Sequence, residues 1–239
     1  MIKAVLFDLG DTLIHPVGPW DPVMERACIA LSQKLCDHGV EVPCKSFAMD
    51  FGVALRQYYA HRERNLEEKT TFILLKDLLA AGQYVADNTT IRIALDALYR
   101  ITRSNWQADT FALPVVRDLY QNGIRLGILS NAGDDADVRA LVEQARIDGY
   151  MDFIISSAKV GFRKPHERIF TAAMQLWSFI PSQISMVGDR LDADIRGAKQ
   201  SGMQSVWITP DPSSIQADSP RPDYIIEGLD QLPGILAGR

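Results

Sequence analysis

The sequence predicts an α/β protein, a doubly wound parallel sheet core interrupted near its start by a long α-helical insertion. Three observations carry this. Short apolar runs, each ended by a turn signal, recur along the chain, and helix-length segments separate them. The stretch from Pro16 to Asp109 breaks this alternation and contains almost no strand-like run. Apolar runs without polar alternation suit strands buried on both faces, and strand–helix alternation suits parallel strands joined by right-handed crossovers.

The elements follow in order. Ile2-Lys3-Ala4-Val5-Leu6-Phe7 reads as a buried central strand that stops at Asp8 and enters Gly10-Asp11-Thr12. Within the insertion, Asp21-Pro22 opens a helix with a capping acid and a first-turn proline, and Gly39 closes it. Helical patterns continue over Phe47–Tyr59, Thr70–Ala81 (closed by Gly82) and Thr89–Arg103, which makes four helices. The alternation then resumes with a helix over Pro114–Gln121, stopped by Asn122-Gly123, and a strand over Ile124–Leu129 that ends at Ser130-Asn131. A helix over Asp135–Ala145, with Val138, Leu141, Val142 and Ala145 on one face, leads to the strand Phe153–Ile155. Pro165–Trp177 reads as the next helix, Ile184–Val187 as a strand ending at Gly188-Asp189, and Asp192–Ser201 as a helix stopped by Gly202. Two more strands, Gln204–Ile208 and Tyr224–Ile226, complete the set. The expected division is a core of residues 1–15 and 110–239 and a helical domain of residues 16–109.

A chain of 239 residues is long enough for this, and 47% hydrophobic with 23% charged residues is ordinary for a globular protein. The formal net charge of -5 argues against a broad nucleic-acid-binding face, which needs clustered Lys and Arg, but leaves room for a local site for a small anion. No apolar run approaches the roughly 18 residues of a membrane helix, and the run at Met1 meets Asp8 too soon for a signal peptide. Cys28, Cys36 and Cys44 cannot all pair within one chain and match no zinc spacing, so three reduced thiols in a soluble cytoplasmic protein are expected.

In an open parallel sheet, ligands bind outside the carboxyl ends of the strands. The strand ends here carry Asp8, Ser130, the loop reaching Lys164, and Asp189. Any one of these suits a turn or cap. Together they place two carboxylates, a hydroxyl and an ammonium at one edge, the parts needed to hold a magnesium ion and a phosphoryl group while a carboxylate attacks.

These residues also lie in recognisable motifs. Phe7-Asp8-Leu9-Gly10-Asp11-Thr12-Leu13 resembles the first motif of the haloacid dehalogenase superfamily, and Leu129-Ser130-Asn131 its second. Gly161-Phe162-Arg163-Lys164-Pro165 resembles the third, and Val187-Gly188-Asp189-Arg190-Leu191-Asp192-Ala193-Asp194-Ile195 the fourth. The resemblance implies a Rossmann-like core with a helical cap, in the phosphatase-like branch. It implies Asp8 as a nucleophile forming an aspartyl-phosphate, and Mg²⁺ held by Asp8, the Gly10 carbonyl and Asp189, with Asp194 in or just behind that shell. Ser130, with backbone N–H groups around Leu9 and Asn131, would bind phosphoryl oxygens. Lys164 would neutralise phosphoryl charge and restrain Asp8. Positioning and charge stabilisation are what phosphoryl transfer needs most.

One departure matters. Most phosphatases of this superfamily place a second Asp, a general acid and base, two residues after the nucleophile. Here that position is Gly10, and the next residue is Asp11. Asp11, a group from the cap or water could take over proton transfer, or the substrate could have a leaving group that needs little protonation. A turn or capping role for Asp11 stands beside these. Three functions therefore compete: a Mg²⁺-dependent phosphatase acting on a small phosphorylated metabolite enclosed by the cap, a metal-independent 2-haloacid dehalogenase-type hydrolase, and a weakly catalytic phosphate-ester-binding protein. The fourth motif favours magnesium. The protein is expected to act as a monomer or homodimer, without nucleic-acid or membrane partners.

Other polar residues read as structural. His15 follows the first motif at a hinge or surface position, and His166 belongs to a helix start. Tyr58, Tyr59, His61, Arg62 and Arg64 form a solvated face or pack within the insertion, as do Arg100 and Arg103. Trp20, where the insertion begins, suits either packing or a site wall.

Overall fold

The computed structural model describes residues 1–237. In chain order the elements are β1 (Ala4–Phe7), β2 (Ile14–Pro16), α1 (Trp20–Asp37), α2 (Cys44–His61), α3 (Thr71–Ala81), α4 (Asn88–Arg103), β3 (Trp106–Ala108), α5 (Ala112–Gln121), β4 (Arg125–Ser130) and α6 (Asp135–Gln144). There follow β5 (Phe153–Ser156), α7 (Ser157–Val160), α8 (Glu167–Met174), β6 (Ile184–Gly188), a π-helical turn (Leu191–Ile195), α9 (Arg196–Gln200), β7 (Gln204–Ile208), β8 (Tyr224–Ile226) and α10 (Leu232–Leu236). The chain packs as two compact units, one of Met1–His15 with the chain from Ala108 onward, the other of Pro16–Gln107.

The first unit is built on a six-stranded sheet in the order β5-β4-β1-β6-β7-β8, parallel throughout. β1 is buried along its whole length, which is why its sequence shows no polar alternation. Ala4 and Leu6 pack with Leu129, Ile169, Phe170, Ile184 and Met186 in one apolar cluster. From β1 the chain runs to β4 and β5 on one side, then crosses from β5 to β6, which pairs with the other side of β1. The strand order thus reverses at β1, and such a switch point opens a crevice at the carboxyl ends of the strands.

The helical unit has its own core, in which Leu31, Leu35, Phe47, Phe51, Leu75 and Leu95 are almost fully buried. The Thr70 and Asp87 side chains cap α3 and α4 by accepting from the N–H groups of Ile73 and Thr90. Trp20 packs against Trp106, with ring centroids 5.1 Å apart and planes tilted by 60°. Tyr58 donates to Glu68 at 2.7 Å and accepts from the Lys69 N–H, and Arg62 lies over the Tyr59 ring. Arg100 and Arg103 occupy the last turn of α4.

Three differences from the sequence reading stand out. Cys36 and Cys44 are joined as a disulfide, with Cα atoms 6.6 Å apart, and only Cys28 remains a free, buried thiol. The reading of three reduced thiols is corrected: α1 ends and α2 begins so that two cysteines of unremarkable spacing face one another. The helix expected from Pro165 starts at Glu167, because the His166 ring caps it by accepting from the Arg168 N–H. The strands β2 and β3, three residues each, pair in a separate ribbon that the sequence did not announce. Among the described residues no helix is long and apolar enough to cross a membrane.

Candidate active site

Asp8 is the first residue beyond β1 and is held there by its N–H, which donates to the Val187 carbonyl of β6 at 2.8 Å. The turn that follows is tight. The Leu9 carbonyl accepts from the N–H groups of Leu13 and Ile14, and the Asp11 N–H donates to the Ile14 carbonyl at 2.7 Å. Leu9 is buried, Gly10 sits within this turn, and Asp11 has a left-handed backbone with φ 55°. Asp and Asn tolerate that conformation better than most residues, which gives Asp11 a turn role of its own. Its carboxylate is more than half exposed and lies 3.8 Å from His15 Nδ1, while His15 Nε2 lies 3.1 Å from Asp109 Oδ2.

Lys164 is the centre of the site. Its side chain is fully buried, and Nζ reaches Asp8 Oδ1 at 2.5 Å, Asp194 Oδ1 at 2.7 Å and the Leu129 carbonyl at 2.6 Å. The contacts to Asp8 and to the Leu129 carbonyl are hydrogen bonds, and the one to Asp194 is an ion pair. Burial alone would lower the Lys164 pKa, but Asp194 and Asp8 outweigh it and raise the pKa above the ordinary lysine value. Asn131 fixes the lysine backbone from two directions. Its Oδ1 accepts from the Lys164 N–H at 2.7 Å, and its Nδ2 donates to the Lys164 carbonyl at 3.1 Å. Ser130, buried, ends β4 next to β1.

The fourth segment leaves β6 at Gly188. Asp194 Oδ2 accepts from the Arg190 N–H at 3.0 Å, which folds the π-helical turn back over the strand end. A Cβ on Gly188 would lie 2.3 Å from that same oxygen, so only glycine fits here. The Asp189 carbonyl accepts from the Trp207 indole at 2.7 Å.

Asp8, Asp189 and Asp194 each present a carboxylate oxygen, and these all lie within 4.8 Å of one another. Burial, then the neighbouring Asp8 and Asp194 charges, push Asp189 up to about 8. Burial pushes Asp194 up to about 6, with Lys164 pulling against it and Asp8 adding to it. Three carboxylates around one ammonium hold more negative charge than Lys164 can balance. Such a set of hard oxygen donors fits a divalent cation such as Mg²⁺.

Of the residues singled out by sequence, the structure brings Asp8, Lys164, Asp189 and Asp194 together. Asp11 lies at the exposed side of the first turn, where its charge still reaches Asp189. The two-point hold of Asn131 on Lys164 and the contact of Trp207 with Asp189 escaped the sequence reading. Each joins residues distant in sequence, and the only available signal was that a buried indole N–H needs an acceptor.

A parallel α/β fold with acidic groups and a buried lysine at its switch point defines a class of enzymes that work at the carboxyl edge of the sheet. The family model for haloacid dehalogenase-like hydrolases matches residues 2–202. The chain belongs to this family and is a hydrolase. It is 27% identical over 211 residues to a glyceraldehyde 3-phosphate phosphatase of Pyrococcus abyssi, covering 87% of this chain and 82% of the relative. Its fold matches the crystal structure of a HAD phosphatase from Thermococcus onnurineus with a TM-score of 0.67 at 23% identity, covering 100% of this chain and 99% of the other. It also matches that of a 2-haloacid dehalogenase from Pseudomonas syringae pv. Tomato with a TM-score of 0.66 at 26% identity, again over 100% and 99%.

Proposed function

We propose that the protein is a Mg²⁺-dependent phosphatase that hydrolyses a small phosphorylated metabolite through an aspartyl-phosphate on Asp8. The observation that carries this reading is the cluster of Asp8, Asp189 and Asp194 around Lys164, whose excess negative charge suits a divalent cation. The similarity to a phosphatase of a triose phosphate supports a small monoester as substrate. Asp8, Asp189 and Asp194, with the Gly10 carbonyl, would hold the ion, which when bound supplies charge neutralisation for the phosphoryl oxygens.

The residues then divide the work. A carboxylate oxygen of Asp8 attacks phosphorus, the ester P–O bond breaks, and the leaving oxygen takes a proton. Water next cleaves the acyl phosphate, which releases inorganic phosphate and restores Asp8. Lys164 holds Asp8 in place for attack and offsets the phosphoryl charge. Ser130 and the backbone N–H groups of Leu9 and Asn131 orient the phosphoryl oxygens. Gly10 has no side chain, so protonation of the leaving oxygen falls to Asp11, to a residue of the helical domain or to water.

The test is release of inorganic phosphate from an aryl phosphate, with Mg²⁺ and with the metal chelated, in the wild type and in Asp8→Asn. Turnover that needs Mg²⁺ and vanishes in Asp8→Asn is the expected outcome. The dehalogenase-like fold match motivates one control: halide release from a 2-haloacid without metal, and no phosphate release, would replace this reading.

A further inference from the structure

Trp207 lies in β7, and the strand register sets it beside Gly188 of β6. Its side chain is almost wholly buried. A buried indole N–H must find an acceptor, and many backbone carbonyls would serve. The one it finds belongs to Asp189, at 2.7 Å, the residue whose carboxylate completes the acidic cluster. The N–H of that same peptide, which belongs to Arg190, donates to Asp194 Oδ2, and Asp194 also pairs with Lys164. The Asp189–Arg190 peptide is therefore held at both edges, by Asp194 at its N–H and by Trp207 at its carbonyl.

We propose that Trp207 is a positioning residue for the divalent-cation site. Its indole N–H fixes the Asp189 peptide so that the Asp189 carboxylate stays within reach of Asp8 and Asp194. The inference rests on the metal-dependent reading above. Three carboxylates with oxygens within 4.8 Å repel one another when ionised. Without the Trp207 contact, only Asp194 holds that peptide, Asp189 turns more freely away from its neighbours, and an incoming cation must gather the ligands itself. Preorganisation by Trp207 removes that cost from binding. Trp207 touches no reacting atom and acts only through Asp189.

The experiment uses Mn²⁺ alone, titrated into the whole protein without substrate and followed by loss of the free-ion electron paramagnetic resonance signal. Wild type is compared with Asp189→Asn, with Trp207→Phe, and with protein carrying benzothienylalanine at position 207, which keeps the bicyclic ring but has sulfur in place of the N–H. Loss of one neutral hydrogen bond predicts Mn²⁺ binding about three- to tenfold weaker in both Trp207 forms. If the smaller Phe ring prevents folding, the benzothienylalanine form decides alone. Wild-type Mn²⁺ affinity in that form assigns Trp207 to packing only and overturns the inference while the metal-dependent reading stands. Absence of Asp189-dependent Mn²⁺ binding in the wild type overturns the metal-dependent reading itself, and this inference with it.

Discussion

Lys164 presents the sharpest residue-scale question, because a buried ammonium is useful only if it is held still. Its three contacts fix Nζ, but the backbone that carries it is fixed by Asn131, with an acceptor for the N–H and a donor for the carbonyl. An amide can do both, and neither Asp nor Ala can. Asn131→Ala should therefore cost about 1–2 kcal/mol of stability, two net hydrogen bonds. Asn131→Asp should cost more at neutral pH, because a carboxylate oxygen would then face the Lys164 carbonyl. Urea unfolding checks the order, and an Asp variant more stable than the Ala variant would remove the two-point hold from the account. The sequence could not have shown this. It pointed to the backbone of Asn131 through its place after Ser130, whereas the side chain works on a residue 33 positions away.

At the scale of elements, the inner strands were legible because they are short apolar runs buried on both faces, and β1 and β6 are buried along their whole lengths. The strand-end rule also pointed to one edge of the sheet as the place where Asp8, Lys164 and Asp189 meet. Elements that local pattern does not encode were missed, namely the three-residue strands β2 and β3 and the π-helical turn. That turn read as the start of an ordinary helix at Asp192, yet its shape depends on the Asp194 carboxylate reaching back to the Arg190 N–H over Gly188. Gly188 is therefore the element's weak point. A methyl group there would sit 2.3 Å from Asp194 Oδ2, and Asp194 is gripped by Lys164 and cannot yield freely. Gly188→Ala should lose about 1–3 kcal/mol of stability, as overpacked sites do, together with metal-dependent turnover. Gly149→Ala, where a Cβ meets nothing within 4 Å, is the matched control for thermal unfolding. Equal melting temperatures in the two variants would show that the turn accommodates the methyl group.

For the whole molecule, the acidic cluster couples stability to pH in a direction opposite to that of most carboxylates. The usual folded-state aspartate has a depressed pKa and loses stability in acid. Asp189 and Asp194 are raised instead, to about 8 and about 6, so their contribution is fully present below the ordinary value near 4 and declines as pH rises through 6 and then 8. The metal-free protein should lose thermal stability from about pH 4 to pH 8, more steeply below pH 6, where both groups contribute, than above it, where Asp189 alone does. A divalent cation takes the ionised form of these groups and competes with their protons. The melting-temperature gain from Mg²⁺ should accordingly be small at pH 5 and widen toward pH 8.5, since a ligand that binds only the folded state stabilises it by mass action. Scanning calorimetry in chelator and in Mg²⁺, across that range, isolates the site because every other titrating group is common to both curves. Asp189→Asn should flatten the chelator curve above pH 6 and abolish most of the widening. A Mg²⁺ gain that stays constant from pH 5 to 8.5 would mean that the cation does not bind where the protons leave, and the cluster of Asp8, Asp189 and Asp194 would lose its claim to be the metal site.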